Sequence, residues 1–159
     1  MAILMEKSPD QSRAEQVHII MKSDINGAGR LFGGRLMEWI DVVAGVVARR
    51  HCNHNVTTAC IDNLVFKAAA YCGNVVVLKG QVTFVGSTSM EVRVDTFAEA
   101  LDGTQEMINR AYLVMVALDE NDKPTAVPPL RLDTPEQREE WAAGQRRNDL
   151  RRERRRLDY

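Results

Sequence analysis

The sequence predicts an α+β domain in which a strongly curved antiparallel sheet wraps one long central helix, with a charged helix appended at the C-terminus. Two stretches carry that expectation. Residues 26–51 open on a glycine-punctuated loop (Gly27, Gly29, Gly33, Gly34) and continue into about four turns of helical periodicity with almost no polar side. Residues 88–98 alternate Met90, Val92 and Val94 with Glu91, Arg93 and Asp95, the pattern of an antiparallel strand with one face on a core and the other in water. A single buried helix has to be covered, and a curved sheet covers only part of it while leaving edge strands open. Edge pairing between protomers hides both, so at least a dimer is expected.

Taken in order, residues 1–12 read as a flexible N-terminal arm. Residues 14–21 alternate Val17, Ile19 and Met21 with polar or mixed neighbours, as a half-buried strand does. In the central helix Leu36, Ile40, Val43 and Val47 follow an i, i+4, i+7, i+11 repeat, and Met37, Ala44 and Ala48 widen that face. Trp39, Val42 and Val46 leave little polar surface opposite, which marks a buried helix. Arg49, Arg50 and His51 suit the negative end of the helix dipole, and Asn53 or Asn55 can terminate it. Residues 56–62 are β-branched and read as a strand that continues irregularly through Leu64, Val65 and Phe66, before turn chemistry at Tyr71-Cys72-Gly73-Asn74.

Two long strands follow, residues 75–85 with Val76, Leu78, Val82 and Phe84 on one face, and residues 88–98, joined by a hairpin at Gly86-Ser87. Residues 107–118 make a further long strand that ends at Asp119-Glu120-Asn121-Asp122. Residues 13–130 thus form one domain, and residues 131–159 an Arg-rich helical extension. Its helix, residues 136–157, carries Arg146, Arg147, Arg151, Arg152, Arg154, Arg155 and Arg156, diluted by Glu136, Glu139, Glu140, Asp149 and Glu153. It reads as a solvated or oligomer-packing helix laced with i, i+4 pairs. Phosphate binding is the sharper alternative, because the guanidinium fork donates bidentately. With no interleaved aromatics a nucleic-acid surface is not expected.

Length and charge narrow the classes further. At 159 residues, 45% hydrophobic and a net charge of −1, the chain fits one globular domain without a global field for nucleic acid or an anionic membrane. Its apolar runs are broken well short of the ~18 residues a membrane-spanning helix needs, and the N-terminus lacks the apolar core of a signal peptide. Three cysteines (Cys52, Cys60, Cys72) form no C-x-x-C and leave one over, which fits a reducing, cytoplasmic location. The run His51-Cys52-Asn53-His54 does not complete the two ligand pairs of a zinc site, so no metal is expected.

The glycine loop also carries chemistry. Gly33 and Gly34 lie at a helix N-terminus, whose first N–H groups lack intrahelical partners, and without side chains they let a carbonyl oxygen approach those donors. That is an oxyanion hole at the positive end of a dipole. Asn26, just upstream, can donate or accept. Asp41 has Met37, Glu38, Ala44 and Gly45 as its helical neighbours and no basic partner among them. It is either a solvent-facing acid on a strip with Glu38 and Arg49 or a functional carboxylate. Asp41 sits two turns, ~10 Å, along its own helix from the glycines. It would therefore meet the loop of a partner protomer across a two-fold rather than its own. There is no Ser-His-Asp set and no G-x-S-x-G, which excludes a serine hydrolase.

At these residues the sequence resembles the hotdog-fold acyl-CoA thioesterases, in the acyl-CoA hydrolase branch that includes the cytosolic brain-type enzymes. The matching stretches are N-x-x-G-x-L-F-G-G-x-L-M-x-x-I-D-x-x-A-G (residues 26–45), RRHCNHNVTTACIDNLVF (residues 49–66), VTFVGSTSMEV (residues 82–92) and YLVMVALDENDKPTAVP (residues 112–128). Any one is weak; four in order are specific. The resemblance implies hydrolysis of acyl-CoA to a free acid and CoA, with Asp41 as general base or nucleophile. It also implies that Asn26 of the partner protomer positions water or the carbonyl, and that the Gly33 and Gly34 amides polarise the thioester. Thr58 and Asp62 match the strand lining the site, and Gly86, Thr88 and Ser89 the G-x-T-S-M segment near the CoA groove. Phe32 and Phe66, within the matched stretches, are counted as substrate-binding. The family builds hotdog dimers, often three in a hexamer, and uses no metal or cofactor, coenzyme A being part of the substrate. The chain departs from the pattern at Ala69, Asn74 and Arg35, and Arg35 and Lys67 are positioned to alter acyl or CoA selectivity. A non-catalytic acyl-CoA sensor of the same fold is the alternative; such a binder does not need Asp41.

Overall fold

The computed structural model describes residues 4–158. Five strands, β1 (Ala14–Ile19), β2 (Asn55–Phe66), β3 (Val75–Val85), β4 (Ser89–Glu99) and β5 (Gln105–Leu118), form one sheet in the order β1-β3-β4-β5-β2, with every neighbouring pair antiparallel. Helix α1 (Gly33–Cys52) lies in its concave face, and helix α2 (Pro135–Arg156) packs on the opposite one. Leu36, Ile40, Val43, Ala44 and Val47 of α1 form one core with Val76, Leu78, Val82, Met90, Val92, Val94 and Leu113. The helix stops at Asn53, whose left-handed backbone (φ 58°) lets its N–H donate to the Arg49 carbonyl at 2.8 Å. Among the described residues no helix is long and apolar enough to cross a membrane.

Close approach of α1 to the sheet depends on Gly80. A Cβ there would lie 2.7 Å from Cγ1 of Val43 and 2.9 Å from Cγ2 of Val47, both on buried side chains with nowhere to move. Gly80→Ala is expected to destabilise the protein by about 1–3 kcal/mol through overpacking. A urea unfolding curve with an unchanged midpoint would disprove that account.

Three expectations change on contact with the structure. In β1 the register sets Gln16 opposite Leu78 and His18 opposite Val76, which turns the polar residues toward α1, where the His18 ring stacks on Trp39 at 4.1 Å. Val17, Ile19 and Met21 therefore point away from the core and are each 59% exposed. In β3 a bulge between Val82 and Phe84 shifts the parity, so Phe84 leaves the α1 side and meets Trp141 of α2 at 5.4 Å. Finally, the polar face of β4 does not meet water: α2 covers it, and Glu91 and Asp95 are buried.

Helix α2 is capped by Thr134, whose hydroxyl accepts from the Gln137 N–H at 3.2 Å. Its outer face, with Arg146, Arg152, Arg155 and Arg156, is exposed as expected, but the inner face turns three arginines into the sheet. Arg147 donates to Glu91 and Glu140, both at 2.8 Å, and Arg151 bridges Glu91 (2.7 Å) and Asp62 (2.9 Å). Arg154 also pairs with Asp62. Gly144 permits the approach, since a Cβ there would sit 2.7 Å from the Phe84 Cβ. The N-terminal segment is likewise packed from Lys7 onward. Ser8, Pro9 and Ser12 are buried around a short 3-10 turn, and Lys7 Nζ donates to the Arg50 carbonyl at 2.9 Å. Residues 1–3 of the expected arm lie outside the described residues.

Candidate active site

Helix α1 begins at Gly33 after Phe32, whose side chain cannot cap it, and the first intrahelical donor is Leu36 N, bonded to the Phe32 carbonyl at 3.1 Å. The Gly33, Gly34 and Arg35 amides precede it and stay available at the positive end of the dipole. Aromatic rings crowd both glycines, Gly34 more tightly than Gly33. A Cβ on Gly34 would stand 2.6 Å from the Phe32 ring, and one on Gly33 would touch Phe66 at 3.5 Å. Phe32 and Phe66 are both exposed and flank the helix start.

Asn26 adds a donor of defined direction. Its Oδ1 accepts from the backbone N–H groups of Ala28 (2.9 Å) and Arg30 (3.2 Å), while its own N–H donates to the Arg30 carbonyl at 2.8 Å. Because both side-chain partners are N–H groups, the carbonyl end of the amide is consumed and the NH2 end projects. The loop is braced by Asp24, which accepts from Met21 N at 2.8 Å and from Arg35 Nε at 3.1 Å. Arg35 also holds Glu38 at 2.7 Å, so this departure from the family pattern is occupied as a brace.

Asn26, Gly33 and Phe66 share a cavity of about 420 Å3 with Arg30, Leu31, Leu36, Lys67, Ala68, Ala69, Ala70 and Ile108. Of these, Arg30, Ala68, Ala70 and Ile108 are not marked by the sequence as site residues. The three consecutive alanines after Lys67 were the available signal, since small side chains leave space where a β-rich chain would fill it.

Asp41 stands apart from this cavity. Its carboxylate is exposed, and Oδ1 accepts from the Thr58 hydroxyl of β2 at 2.5 Å. Thr58 thus lies beside Asp41, and neither bonds Asn26 or the glycines of the same chain. The Gly86–Ser89 hairpin is closed by Gly86 N donating to the Ser89 carbonyl at 2.8 Å. Ser89 and Thr57 both pair with Val116, which puts Thr88 and Ser89 at the end of the sheet that carries Thr58. Asp62 is a correction. Bulges in β2 between Thr58 and Cys60 and between Ile61 and Asn63 turn it to the α2 side, where it binds Arg151 and Arg154 instead of lining the site. Burial pushes its carboxyl up, but the hydrogen bonds from Arg154 and Arg151 outweigh this and hold it below the usual carboxylate range.

The buried His51 ring bonds the Pro128 carbonyl through Nε2 at 2.8 Å, and burial pushes its pKa down, keeping it neutral. Cys52 Sγ points at the His54 carbonyl at 3.6 Å, and no group of three metal-ligating side chains occurs among the described residues.

Comparison with known proteins bears on the same region. The thioesterase superfamily model matches residues 28–102. An acyl-CoA thioester hydrolase of Bacillus subtilis is 37% identical over 128 residues, covering 80% of this chain and 74% of that protein. The cytosolic acyl coenzyme A thioester hydrolase of Rattus norvegicus is 32% identical over 86% of this chain, which spans only 36% of that longer protein. Among solved structures, a hexameric acyl-CoA thioesterase superposes with a TM-score of 0.91 at 34% identity, covering 95% of this chain and 97% of that one. An acyl-CoA hydrolase of Staphylococcus aureus, bound to butyryl coenzyme A and coenzyme A, gives 0.91 at 27% identity and coverage of 96% and 94%. Variants of that hydrolase with an aspartate, an asparagine or a threonine replaced by alanine superpose equally well, at 0.92, 0.93 and 0.91.

Proposed function

The chain belongs to the acyl-CoA thioester hydrolases of the thioesterase superfamily, and on that premise we propose that two protomers build each active site together. One contributes Asn26 and the Gly33 and Gly34 amides; the other contributes Asp41 with Thr58. The observation that carries this reading is the division within one chain. Amide donors without acceptors lie at one end of α1, and an exposed carboxylate without a cation lies two turns away. The residue types and their spacing support it. Asn26, Asp41 and Thr58 are separated by 15 and 17 positions, the same separations as the three residues replaced in the Staphylococcus aureus hydrolase. Three such dimers would form the hexamer seen in the similar thioesterase, and a cytoplasmic setting suits the free thiols and the cytosolic relative.

In the proposed reaction, Thr58 holds Oδ1 of Asp41 and leaves Oδ2 to take a proton from water. The oxygen of that water adds to the thioester carbonyl, whose developing negative charge is met by the glycine amides and the projecting Asn26 NH2. Collapse breaks the C–S bond, releases the acid and expels CoA as thiolate, which takes up a proton. Thr88 and Ser89 would border the CoA-binding groove, with Phe32 and Phe66 beside the thioester. The alternative course, direct attack by Asp41 on the carbonyl, uses the same residues.

Subunit mixing tests the shared site. Asn26→Ala and Asp41→Ala are each inactive in this scheme. A refolded equimolar mixture contains hybrid dimers with one intact site and regains about a quarter of wild-type thiol release. Regaining none would place both residues in a site within one chain.

A further inference from the structure

We propose that Arg30 and Lys67 form a phosphate-binding pair at the rim of the cavity beside Asn26 and Gly33, and that they seat the phosphate groups of coenzyme A. This rests on the thioesterase reading above. The cavity lining contains two cations and no acid. Most arginines near the sheet are spent on carboxylates, as Arg35, Arg93, Arg110, Arg147 and Arg151 are. Arg30 and Lys67 have no carboxylate partner among the described residues. Lys67 Nζ reaches only the thioether of Met107, a weak acceptor, at 3.6 Å.

The backbone holds the pair on two walls of one cleft. Leu31 N donates to the Ala70 carbonyl at 2.8 Å and Arg30 bridges to Tyr71, while Lys67 N donates to the Ile108 carbonyl at 2.8 Å. The glycine loop, the 67–71 segment and β5 are therefore tied together, with the two long cationic side chains free on the outside. Burial then selects the anion. Arg30 and Lys67 are exposed, whereas Leu36, Ala70 and Ile108 at the floor are buried and apolar. A carboxylate at the far end of an acyl chain would have to enter that floor without a partner. The phosphates remain at the wet rim, where charge-assisted hydrogen bonds from a guanidinium and an ammonium suit them.

The test compares wild type with Arg30→Ala, Lys67→Met and the double variant on butyryl-CoA, on glutaryl-CoA and on the butyryl thioester of N-acetylcysteamine, which lacks phosphates. Calorimetric titration with coenzyme A runs alongside, and melting temperatures confirm folding. In the double variant the ratio of kcat/KM for butyryl-CoA to that for the truncated thioester is expected to fall about tenfold or more. The fall is carried by KM, and coenzyme A binding weakens equally and loses salt dependence. Lys67→Arg retains most of both. An unchanged ratio with unchanged coenzyme A affinity overturns the proposal, as does a loss confined to glutaryl-CoA, which assigns the pair to an acyl carboxylate. Absence of turnover by wild type on every thioester, with coenzyme A binding still weakened in the double variant, would instead overturn the hydrolase reading and leave the phosphate pair standing.

Discussion

Asp41→Ala is expected to lower kcat for acyl-CoA hydrolysis by about a thousandfold or more, the range for removal of a positioned general base. The fold should survive the change. Asp41 is exposed, it sits mid-helix where alanine is the better helix former, and among the described residues its side chain bonds only Thr58, at 2.5 Å. Losing that bond costs about 1 kcal/mol or less. Asp41→Asn keeps shape and donor contact with Thr58 but cannot accept a proton from water, so it should be nearly as inactive. Free-thiol release assayed beside circular dichroism and size-exclusion profiles decides the matter. Turnover within about tenfold of wild type in a folded Asp41→Ala assembly would move the base to another residue.

Among single substitutions, the largest effect on stability should come from Glu91→Ala. This carboxylate is 1% exposed on β4 and accepts from Thr83 Oγ1 (2.7 Å), Arg147 (2.8 Å) and Arg151 (2.7 Å). Its removal leaves two guanidinium groups under α2 short of an acceptor. Breaking a buried ionic network by deleting one partner costs about 3–5 kcal/mol, far more than loss of a surface pair. A matching fall in unfolding free energy is expected in urea, with little relief from added salt because buried pairs are poorly screened. A change below about 1 kcal/mol would mean that α2 is held by the Phe84–Trp141 contact and by the pairs of Asp62 and Glu140 rather than by Glu91. Cutting the chain before residue 134 should be at least as damaging, since it strips the covering arginines from Asp62 and Glu91 together.

The parts of the fold legible in the sequence are those decided locally. The periodicity of Leu36, Ile40, Val43 and Val47, the glycines at the helix start and the lack of a basic neighbour for Asp41 can all be read without a partner strand. Phe84 could not be assigned to its face, because the bulge that reverses it arises from pairing with β4. Val17 and Ile19 misled for a related reason, being paired in a register that turns Gln16 and His18 inward. In α2 the arginines looked like solvent charges because their acids, Glu91 and Asp62, lie 56 to 92 residues away in sequence. The site shows the same division. Asn26, Gly33, Gly34 and Thr58 follow from motif and chemistry, while Asp62 carried a motif match without any chemical role near Asp41. Arg30 and Ala68–Ala70 became visible only when the loops on either side of the cavity were brought together.

The bare stripe of Val17 and Ile19 on edge strand β1, continued by Met21, with the edge of twelve-residue β2 that pairs with no strand among the described residues, bears on how a chain would fare before the pairing proposed above. A lone protomer presents apolar surface next to open backbone donors and acceptors, the combination that templates clumping. On that reading newly made chains enter a race between correct pairing and nonspecific association, run at whatever concentration the ribosomes supply. In the dimer proposed above, pairing would remove surface only from the folded form, so mass action would make the protein sturdier when it is abundant and fragile on dilution. On that reading its melting temperature should rise with protein concentration.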